Sequence, residues 1–432
     1  MKVGFYITNK NFCNKDCSNL RDGNPGIGGT YYAMLQVVCS LSEISKNYYL
    51  LMDADMSVAS HINKVVLNET STLSDEIKRL NIEYIVLNKI GSDTLPPQFF
   101  DSIRDTGVKV IVWVHCSIGM KTMNYLSKEN MVDKVVAVSR IQYYTWFDHA
   151  IFSKATYIYN MFDMVNPSTI IEYKRRKNIV VYLGAINHVK GVHHITKAWR
   201  KVKKIIPDAM LLIIGSGKLY SSIKCGKFNI AEKFYERKLL KPILHKGVLD
   251  TSVKFLGMMG KEKWDILNEA KVGITNAASW ETFGYTMLEM QLAGMQVASF
   301  KSPGLIDTMS PAGGILYDNP TKLADILTLL LLKTDFDYKK SIEYANITFS
   351  KSRIVPQWEK LFNGTLCVDT GAISELSKEL KIFRYIKLNK AIKQVFPFLP
   401  PVIYYRDKLL YMKKIIETIS EPQKIFNKLF DH

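Results

Sequence analysis

Two glutamates separated by seven residues, Glu281 and Glu289, are the clearest candidates for chemistry in this chain. Glu281 follows an apolar strand candidate and stands just before a predicted helix, whereas Glu289 lies inside that helix. Gly284 allows close backbone approach where the helix begins, and Gly294 fits its end. Because an α-helix rises about 1.5 Å per residue, we expect the two glutamates about 12 Å apart along its axis.

The predicted helix start between the two glutamates suits a phosphate. The first backbone N–H groups of a helix have no partner within it, and negative charge is favoured there. Open α/β sheets bind ligands where a strand ends and a helix begins. One carboxylate on each side of a diphosphate could bind a sugar hydroxyl and a ribose hydroxyl, which is the layout that a nucleotide-diphosphate sugar requires. Two glutamates on a solvated helix surface are the alternative that their spacing alone leaves open.

The composition narrows the class of partner. Lys and Arg number 58 against 40 Asp and Glu, a formal net charge of +18 that favours anionic partners. No nucleic-acid-binding motif is visible, so a membrane surface or a phosphorylated substrate is favoured over nucleic acid. Neither a signal peptide nor a membrane-spanning apolar run is found, which predicts a cytoplasmic protein. The scattered cysteines predict reduced thiols and no zinc site.

Strand-like and helix-like segments alternate along the chain, which is typical of βαβ units with a parallel sheet. The charged run 172–177 is interpreted as a linker, after which the pattern restarts. Two Rossmann-like domains facing a central cleft are therefore expected. The strands are predicted at residues 3–8, 48–52, 82–87, 108–115, 134–139 and 155–159, then at 179–183, 210–214, 253–256, 272–275 and 297–300.

The segment 279–294, SWETFGYTMLEMQLAG, resembles the signature of the retaining nucleotide-sugar glycosyltransferases of family four (glycosyl transferases group 1), which have the GT-B fold. The N-terminal half of the chain matches this family more loosely. The resemblance implies an acceptor domain at 1–170, a donor domain at 178–345, a crossover helix at 346–365 and an extension at 370–432. Further motifs in family order and spacing lie at 182–184, 190–192, 211–217, 253–257 and 313–317.

The resemblance implies a catalytic role for three residues. Glu281 would hold hydroxyls of the donor sugar, and Lys190 would stabilise the leaving diphosphate as a point charge. His115, at the end of a predicted strand, would contact the donor sugar, although a lone histidine at a strand end is more often structural.

Six further residues make up the implied donor site. Backbone N–H groups at a helix start would bind the diphosphate, a glutamate would hold the nucleotide ribose, and a glycine pair would shape the sugar and acceptor side. The glycine pair is otherwise an ordinary flexible turn. No Asp-x-Asp motif is present, and the resemblance implies no metal or other cofactor. The six residues are Gly284, Tyr285, Thr286, Glu289, Gly28 and Gly29.

One position departs from the family pattern. Family members often carry an arginine directly after the glycine at position 184, where it assists the lysine at the diphosphate, and Ala185 stands there in this chain. His188 or Arg140 could take its place. The departure is also the best argument that the chain has lost turnover.

The extension at 370–432 carries twelve Lys and Arg against six Asp and Glu, with apolar and aromatic residues between them. Ile373, Leu376, Leu380 and Phe383 share one face of a predicted helix. A proline-rich turn after Phe396 is expected to break this helix, and a second basic helical stretch is predicted beyond it. The extension could lie on an anionic membrane surface, or it could pack on the body of the protein or on a second copy.

The sequence thus predicts a retaining glycosyltransferase that moves a sugar from a nucleotide-diphosphate sugar to an acceptor hydroxyl. The expected acceptor is a surface polysaccharide or lipid-linked glycan, and the expected location is the cytoplasm, on the cytoplasmic face of a membrane if the extension binds there. Two alternatives stay open: a nucleotide-sugar epimerase of the same fold, and a non-catalytic partner in glycan assembly.

Overall fold

The structure, a computed structural model, describes residues 1–67, 72–89, 97–163, 170–217, 225–278, 280–368, 371–405 and 408–409. The strands are β1 (Val3–Ile7), β2 (Tyr48–Met52), β3 (Asn63–Val66), β4 (Tyr84–Lys89), β5 (Lys109–Val114), β6 (Val132–Ala137), β7 (Ala155–Tyr157), β8 (Lys177–Leu183), β9 (Met210–Ile214), β10 (Leu244–His245), β11 (Val248–Leu249), β12 (Val253–Gly257), β13 (Ala270–Ile274), β14 (Gln296–Phe300) and β15 (Gly314–Tyr317).

The α-helices are α1 (Gly29–Ile44), α2 (Leu73–Leu80), α3 (Pro97–Ile103), α4 (Met120–Lys128), α5 (Arg140–Tyr144), α6 (Val192–Ile205), α7 (Lys233–Leu240), α8 (Lys263–Glu269), α9 (Tyr285–Leu292), α10 (Pro303–Thr308), α11 (Leu323–Leu332), α12 (Tyr338–Phe349), α13 (Lys351–Phe362), α14 (Ile373–Glu379) and α15 (Lys381–Ile392). None of the helices in the described part of the chain combines the length and apolar character needed to cross a membrane.

The first domain is built on a seven-stranded sheet in the order β3-β2-β1-β4-β5-β6-β7. All neighbours in this sheet run parallel. A parallel sheet needs cover on both faces, and accordingly β5 is fully buried from Val110 to Val114. The prediction of a Rossmann-like domain is confirmed for this half of the chain. Strand β3 was not predicted, because it has only four residues, two of which are polar, and it is only partly buried.

The second domain repeats this architecture with a six-stranded parallel sheet in the order β12-β9-β8-β13-β14-β15. Interpreting 172–177 as a linker was wrong for two of its residues, since Tyr173 and Arg176 are buried. The guanidinium of Arg176 donates to backbone carbonyls in α8, in β13 and just after α9. Arg176 therefore ties the beginning of the second domain to its core.

The chain returns to the first domain through α13. Trp358 of this helix is buried, and its ring contacts those of Phe5 and Trp113 at centroid distances of 6.0 and 4.6 Å. The segment that leaves the first domain contacts the segment that returns to it. The N–H of Phe162 in the outgoing segment donates to the carbonyl of Phe349 in the returning segment at 2.8 Å. The two connections between the domains thus lie side by side.

The described part of the C-terminal extension packs on the first domain. Ile373, Leu376 and Phe383 are buried in the same hydrophobic core as the strands of the first sheet, and Leu380 packs against it. The helix breaks at Leu380, so the predicted single helical face is carried by two helices, α14 and α15. The predicted second basic stretch lies outside the described residues apart from its beginning.

Candidate active site

A cavity of about 700 Å³ lies in the cleft between the two sheets and is lined by both domains. The carboxyl ends of parallel strands and the starts of the following helices meet there, as expected for open α/β sheets. All nine residues that the sequence singled out line this cavity: Gly28, Gly29, His115, Lys190, Glu281, Gly284, Tyr285, Thr286 and Glu289. The structure brings the set together, and the individual roles remain predictions.

Glu281 lies in the loop between β13 and α9, as its sequence position predicts. Its backbone is fixed, since its N–H donates to Ser302 Oγ at 2.9 Å and its carbonyl accepts from the N–H of Gly304 at 2.8 Å. Its carboxylate forms an ion pair with Lys190 Nζ. Burial raises the pKa of Glu281, but Lys190 and two backbone N–H groups outweigh that effect and lower it, so the carboxylate is ionised. Ser279, the first residue of the motif, lies outside the described residues.

Glu289 is buried within α9 and is paired with a residue that the sequence did not single out. Lys263 Nζ lies 2.6 Å from Glu289 Oε1, and each of the two side chains is only 6% exposed. Lys263 is the first residue of α8 and lines the same cavity. Each of the two motif glutamates therefore has its own lysine in the cleft. In the sequence, Lys263 belongs to a charged run typical of a solvated helix start, so no local signal distinguished it.

Two helices begin with glycine at the edge of the cavity. Gly28 precedes α1 with φ 77°, and Gly284 precedes α9 with φ 91°, a region that favours glycine. Among the residues that the structure describes, no side chain caps either helix start, so their first N–H groups are available to an anion. The ring of Tyr285 packs edge-on against that of Tyr32 at 5.5 Å between centroids, which places the two helix starts next to each other across the cleft.

His115 is buried where β5 ends, with its ring against that of Trp113 at a centroid distance of 4.5 Å. Burial lowers the pKa of His115 to about 3, so its imidazole is neutral at pH 7. The side chain of His115 lines the cavity. The carbonyl of His115 accepts from Thr282 Oγ1 at 2.5 Å, which ties the first domain to the loop that carries Glu281.

Neither of the two suggested replacements for the missing arginine is placed to act in the cleft. Arg140 pairs with the buried carboxylate of Asp307 at 3.3 Å, and His188 contacts Lys238 at 3.3 Å. Neither lines the cavity, whereas Ala185 does. Among the described residues around the cavity, the cations are Lys190 and Lys263. Lys263 comes from a different element than Ala185, and its charge is paired with Glu289.

Three possible metal ligands lie together outside this cleft. One ligand atom from each of Cys39, Glu43 and His61 falls within 4.8 Å of the others. Glu43 already pairs with Lys351, and burial raises the pKa of the Cys39 thiol to about 11, so both residues oppose metal binding. That no metal takes part in the reaction stays a prediction.

Comparison with known protein families gives the class of the second domain. Residues 169–347 match the family described as glycosyl transferases group 1. The second domain is a glycosyl transferases group 1 domain. The protein is therefore a glycosyltransferase, and the sequence-based assignment to group 1 is confirmed. No curated protein sequence matches the chain.

Solved structures share the arrangement of both domains of the glycosyltransferase. Alr3699/HepE from Anabaena, solved with UDP, is 18% identical with a TM-score of 0.59, and the match covers 84% of this chain and 100% of that one. A glycosyltransferase from Rickettsia africae is 13% identical with a TM-score of 0.60 over 85% and 99%. Sucrose-phosphate synthase from Thermosynechococcus elongatus is 14% identical with a TM-score of 0.58 over 84% and 98%. At these identities the likeness shows the fold alone, and that fold is GT-B.

Proposed function

We propose that the glycosyltransferase moves a sugar from a nucleotide-diphosphate sugar to an acceptor hydroxyl with retention of the anomeric configuration, as in family four. The observation that carries this proposal is the ion pair of Glu281 and Lys190 beside two uncapped helix starts in one cleft. Alr3699/HepE has been solved with UDP and with UDP-glucose, which supports a uridine nucleotide as the donor.

Lys190 and the N–H groups at the start of α9 stabilise the diphosphate as it leaves. The bond from the anomeric carbon to the diphosphate oxygen breaks, and negative charge develops on that oxygen in the transition state. The acceptor oxygen forms the new bond on the same face of the anomeric carbon, and the proton of the acceptor hydroxyl passes to the departing diphosphate. Fixed donors and cations aimed at developing charge are an effective source of catalysis, because they need no reorganisation during the reaction. A same-face displacement with this stabilisation accounts for retention, and no covalent nucleophile is assigned.

Glu281 orients the donor sugar. Because its carboxylate is ionised and its backbone is held by Ser302 and Gly304, it accepts hydrogen bonds from sugar hydroxyls in a fixed place. His115 faces the same cavity as a neutral ring. With a pKa of about 3 it does not serve as a general acid near pH 7, so its role is to hydrogen-bond a sugar hydroxyl.

Glu289 and Lys263 act at the nucleotide end of the donor. Glu289 is the acceptor for the ribose hydroxyls, and Lys263 is the counter-charge of this buried carboxylate, since an unpaired buried charge would be costly. Lys263 also supplies the second positive charge of the cleft, which the alanine at position 185 does not provide.

The proposed acceptor is a hydroxyl of a surface polysaccharide or a lipid-linked glycan, and the proposed location is the cytoplasmic face of a membrane. The lipopolysaccharide outer core galactosyltransferase WaaB shares the fold at a TM-score of 0.56 and 14% identity, and it gives one example of such a pathway. The basic C-terminal extension supports the membrane location.

A thermal-shift screen with UDP, GDP, dTDP and ADP, each with and without EDTA, is the first test of the donor site. A ligand that binds only the native state raises the melting temperature, so we expect a shift with one nucleotide that EDTA leaves unchanged. Failure of all four nucleotides to shift the melting temperature would reject the donor site.

Turnover is then measured with the nucleotide sugar of the base that binds. The variants Glu281→Ala and Lys190→Ala should each lower kcat by about a hundredfold or more. Near wild-type turnover in both variants would contradict the mechanism. Release of an epimerised free donor without any acceptor would favour the epimerase, and donor binding without turnover would favour the non-catalytic partner.

A further inference from the structure

Helix α15 has one face buried on the first domain. Phe383 and Ile386 are fully buried in its core, and Asn389 Nδ2 donates to Asp148 Oδ2 at 2.7 Å. Lys393 Nζ donates to the carbonyl of Asp148, and Lys390 Nζ lies 3.7 Å from the centroid of the Phe147 ring. These contacts fix the orientation of the helix, so the opposite face is presented to solvent in a defined way.

The opposite face of α15 and the turn after it are apolar. At 100° per residue, Tyr385, Leu388 and Ile392 fall on one stripe of the helix, away from the buried side. The turn after the helix adds Val395 and two phenylalanines to this exposed set. We name the whole set the apolar α15 surface; the exposed fractions of its side chains are Tyr385 61%, Leu388 58%, Ile392 38%, Val395 72%, Phe396 49% and Phe398 79%.

Positive charge borders this surface. Lys381, Arg384 and Lys387 are exposed on the same or the adjoining side of α15, where Arg384 and Lys387 also donate to the carbonyl of Ser377 and to Ser374 Oγ of α14 at 2.8 and 3.2 Å. No Asp or Glu occurs in residues 381–400, and the whole chain carries a formal net charge of +18. An exposed apolar stripe with aromatic residues and flanking cations, held on a rigid helix, is the pattern of a segment that lies in the interface of an anionic membrane.

We propose that the apolar α15 surface holds the glycosyltransferase on an anionic lipid bilayer. Val395, Phe396 and Phe398 enter the boundary between headgroups and acyl chains, and the flanking cations contact anionic headgroups. A second copy is a poorer occupant, because a two-fold contact would bring the same patch against itself and set its cations beside one another. The inference rests on the proposed membrane location but not on the proposed chemistry.

The test is co-sedimentation of the full chain with vesicles of phosphatidylcholine alone and of phosphatidylcholine with phosphatidylglycerol. The wild-type protein is expected to bind the anionic vesicles, more weakly as salt is added, and to bind the neutral vesicles far less. The double variant Leu388→Glu/Phe398→Glu should weaken binding to anionic vesicles by about tenfold or more, because two apolar anchors become charged. The charge variant Lys381→Glu/Arg384→Glu should weaken it to a similar degree.

Leu332→Glu is the matched control, since Leu332 is 61% exposed at the end of α11 in the other domain. It should bind vesicles as the wild-type protein does. Unchanged vesicle binding by both double variants would overturn the proposal, and so would a dimer in light scattering that the Leu388→Glu/Phe398→Glu variant splits. The UDP thermal shift of every variant is measured in parallel, so a failed donor site is distinguished from a failed membrane surface.

Discussion

At the scale of the residue, the cleft contains two carboxylate–lysine pairs that differ in exposure. Glu281 and Lys190 are about a quarter exposed, whereas Glu289 and Lys263 are nearly completely buried. A partly exposed pair exchanges partners readily, because water and ligand can replace the lost contact, whereas breaking a buried pair leaves an uncompensated charge. We therefore expect Lys190 to move towards the incoming diphosphate and the Glu289–Lys263 pair to stay together.

The variant Lys263→Met tests the buried pair. It leaves the Glu289 carboxylate buried without its cation, so we expect a loss of about 3–5 kcal/mol in the free energy of unfolding and at least about tenfold weaker UDP binding. Chemical denaturation and titration calorimetry measure the two effects.

Lys261→Met, two residues earlier and exposed, is the control and should change neither quantity by much. In the double variant Lys263→Met/Glu289→Gln, most of the lost stability should return while UDP binding stays weak. If the single variant Lys263→Met is as stable as the wild-type protein and binds UDP equally well, the proposed role of Lys263 is disproved.

The sequence predicted Glu281 and Glu289 because they belong to one motif with fixed spacing, and the family resemblance implied Lys190 in a separate segment. It did not predict Lys263, since a lysine at the start of a charged helix is usually solvated and only the fold carries this one to Glu289. The proposed replacement of the charge missing at Ala185 likewise depends on three-dimensional packing, and no local pattern encodes it.

At the scale of the element, the loop from β13 to α9 depends on close backbone packing. A Cβ added to Gly304 would lie 2.1 Å from the carbonyl carbon of Thr282 and 2.2 Å from its oxygen, so α10 touches the loop next to Glu281 directly. The hydrogen bond from the N–H of Gly304 to the carbonyl of Glu281 holds the same contact. The position of Glu281 is therefore set by a neighbouring helix as well as by its own loop.

The variant Gly304→Ala is expected to displace this loop. Backbone cannot give way as a flexible side chain can, so we expect a loss of about 1–3 kcal/mol in stability and a larger relative loss of kcat. Gly119→Ala is the control, because nothing lies within 4 Å of a Cβ built there. Steady-state kinetics and thermal melting of Gly304→Ala and Gly119→Ala test this prediction. Equal kcat values for the two variants would contradict the packing argument.

Element prediction succeeded where burial and periodicity agree. The strands at 48–52 and 210–214 have the predicted bounds, and the other predicted strands differ by a few residues at their ends. The strands that were not predicted, β3, β10, β11 and β15, have only two to four residues each, too few to give a pattern. The break at Leu380 was also missed, because tertiary packing overrides a continuous helical periodicity there.

At the scale of the whole molecule, buried neutral histidines make stability depend on pH. Burial lowers the pKa of His115 to about 3, of His149 to about 4 and of His193 to about 3, all below the usual 6.5. The unfolded chain takes up protons on these residues as pH falls through about 6.5, while the folded chain does not. The stability that these neutral histidines contribute is thus fully present above about pH 6.5 and is lost progressively as pH falls towards 4.

Denaturant titrations at pH 7.5 and at pH 5 test this dependence. Each such histidine contributes at most about 1.4 kcal/mol per pH unit, so His193→Gln should reduce the loss of stability between the two values. An identical pH dependence in the wild-type protein and in His193→Gln would rule the histidine out as a contributor.

The two-domain architecture was predictable from the repeated alternation of strands and helices, whereas the placement of the extension was not. An amphipathic basic segment is compatible with a membrane, a second copy or the body of the protein, because all of them offer an apolar or anionic surface. Only the three-dimensional contacts of Phe383, Ile386 and Asn389 show that one face of the extension packs on the first domain.

The hydrogen bond between Phe162 and Phe349 joins the outgoing and returning connections at one place. Since the two connections touch, we expect any opening of the cleft to be a rotation of one domain about that point. Helices α13, α14 and α15 are fixed to the first domain, so a bilayer bound to the apolar α15 surface would hold that domain in place. The second domain, proposed to bind the donor, would then be the one that rotates, and nucleotide would exchange while the acceptor stays at the membrane.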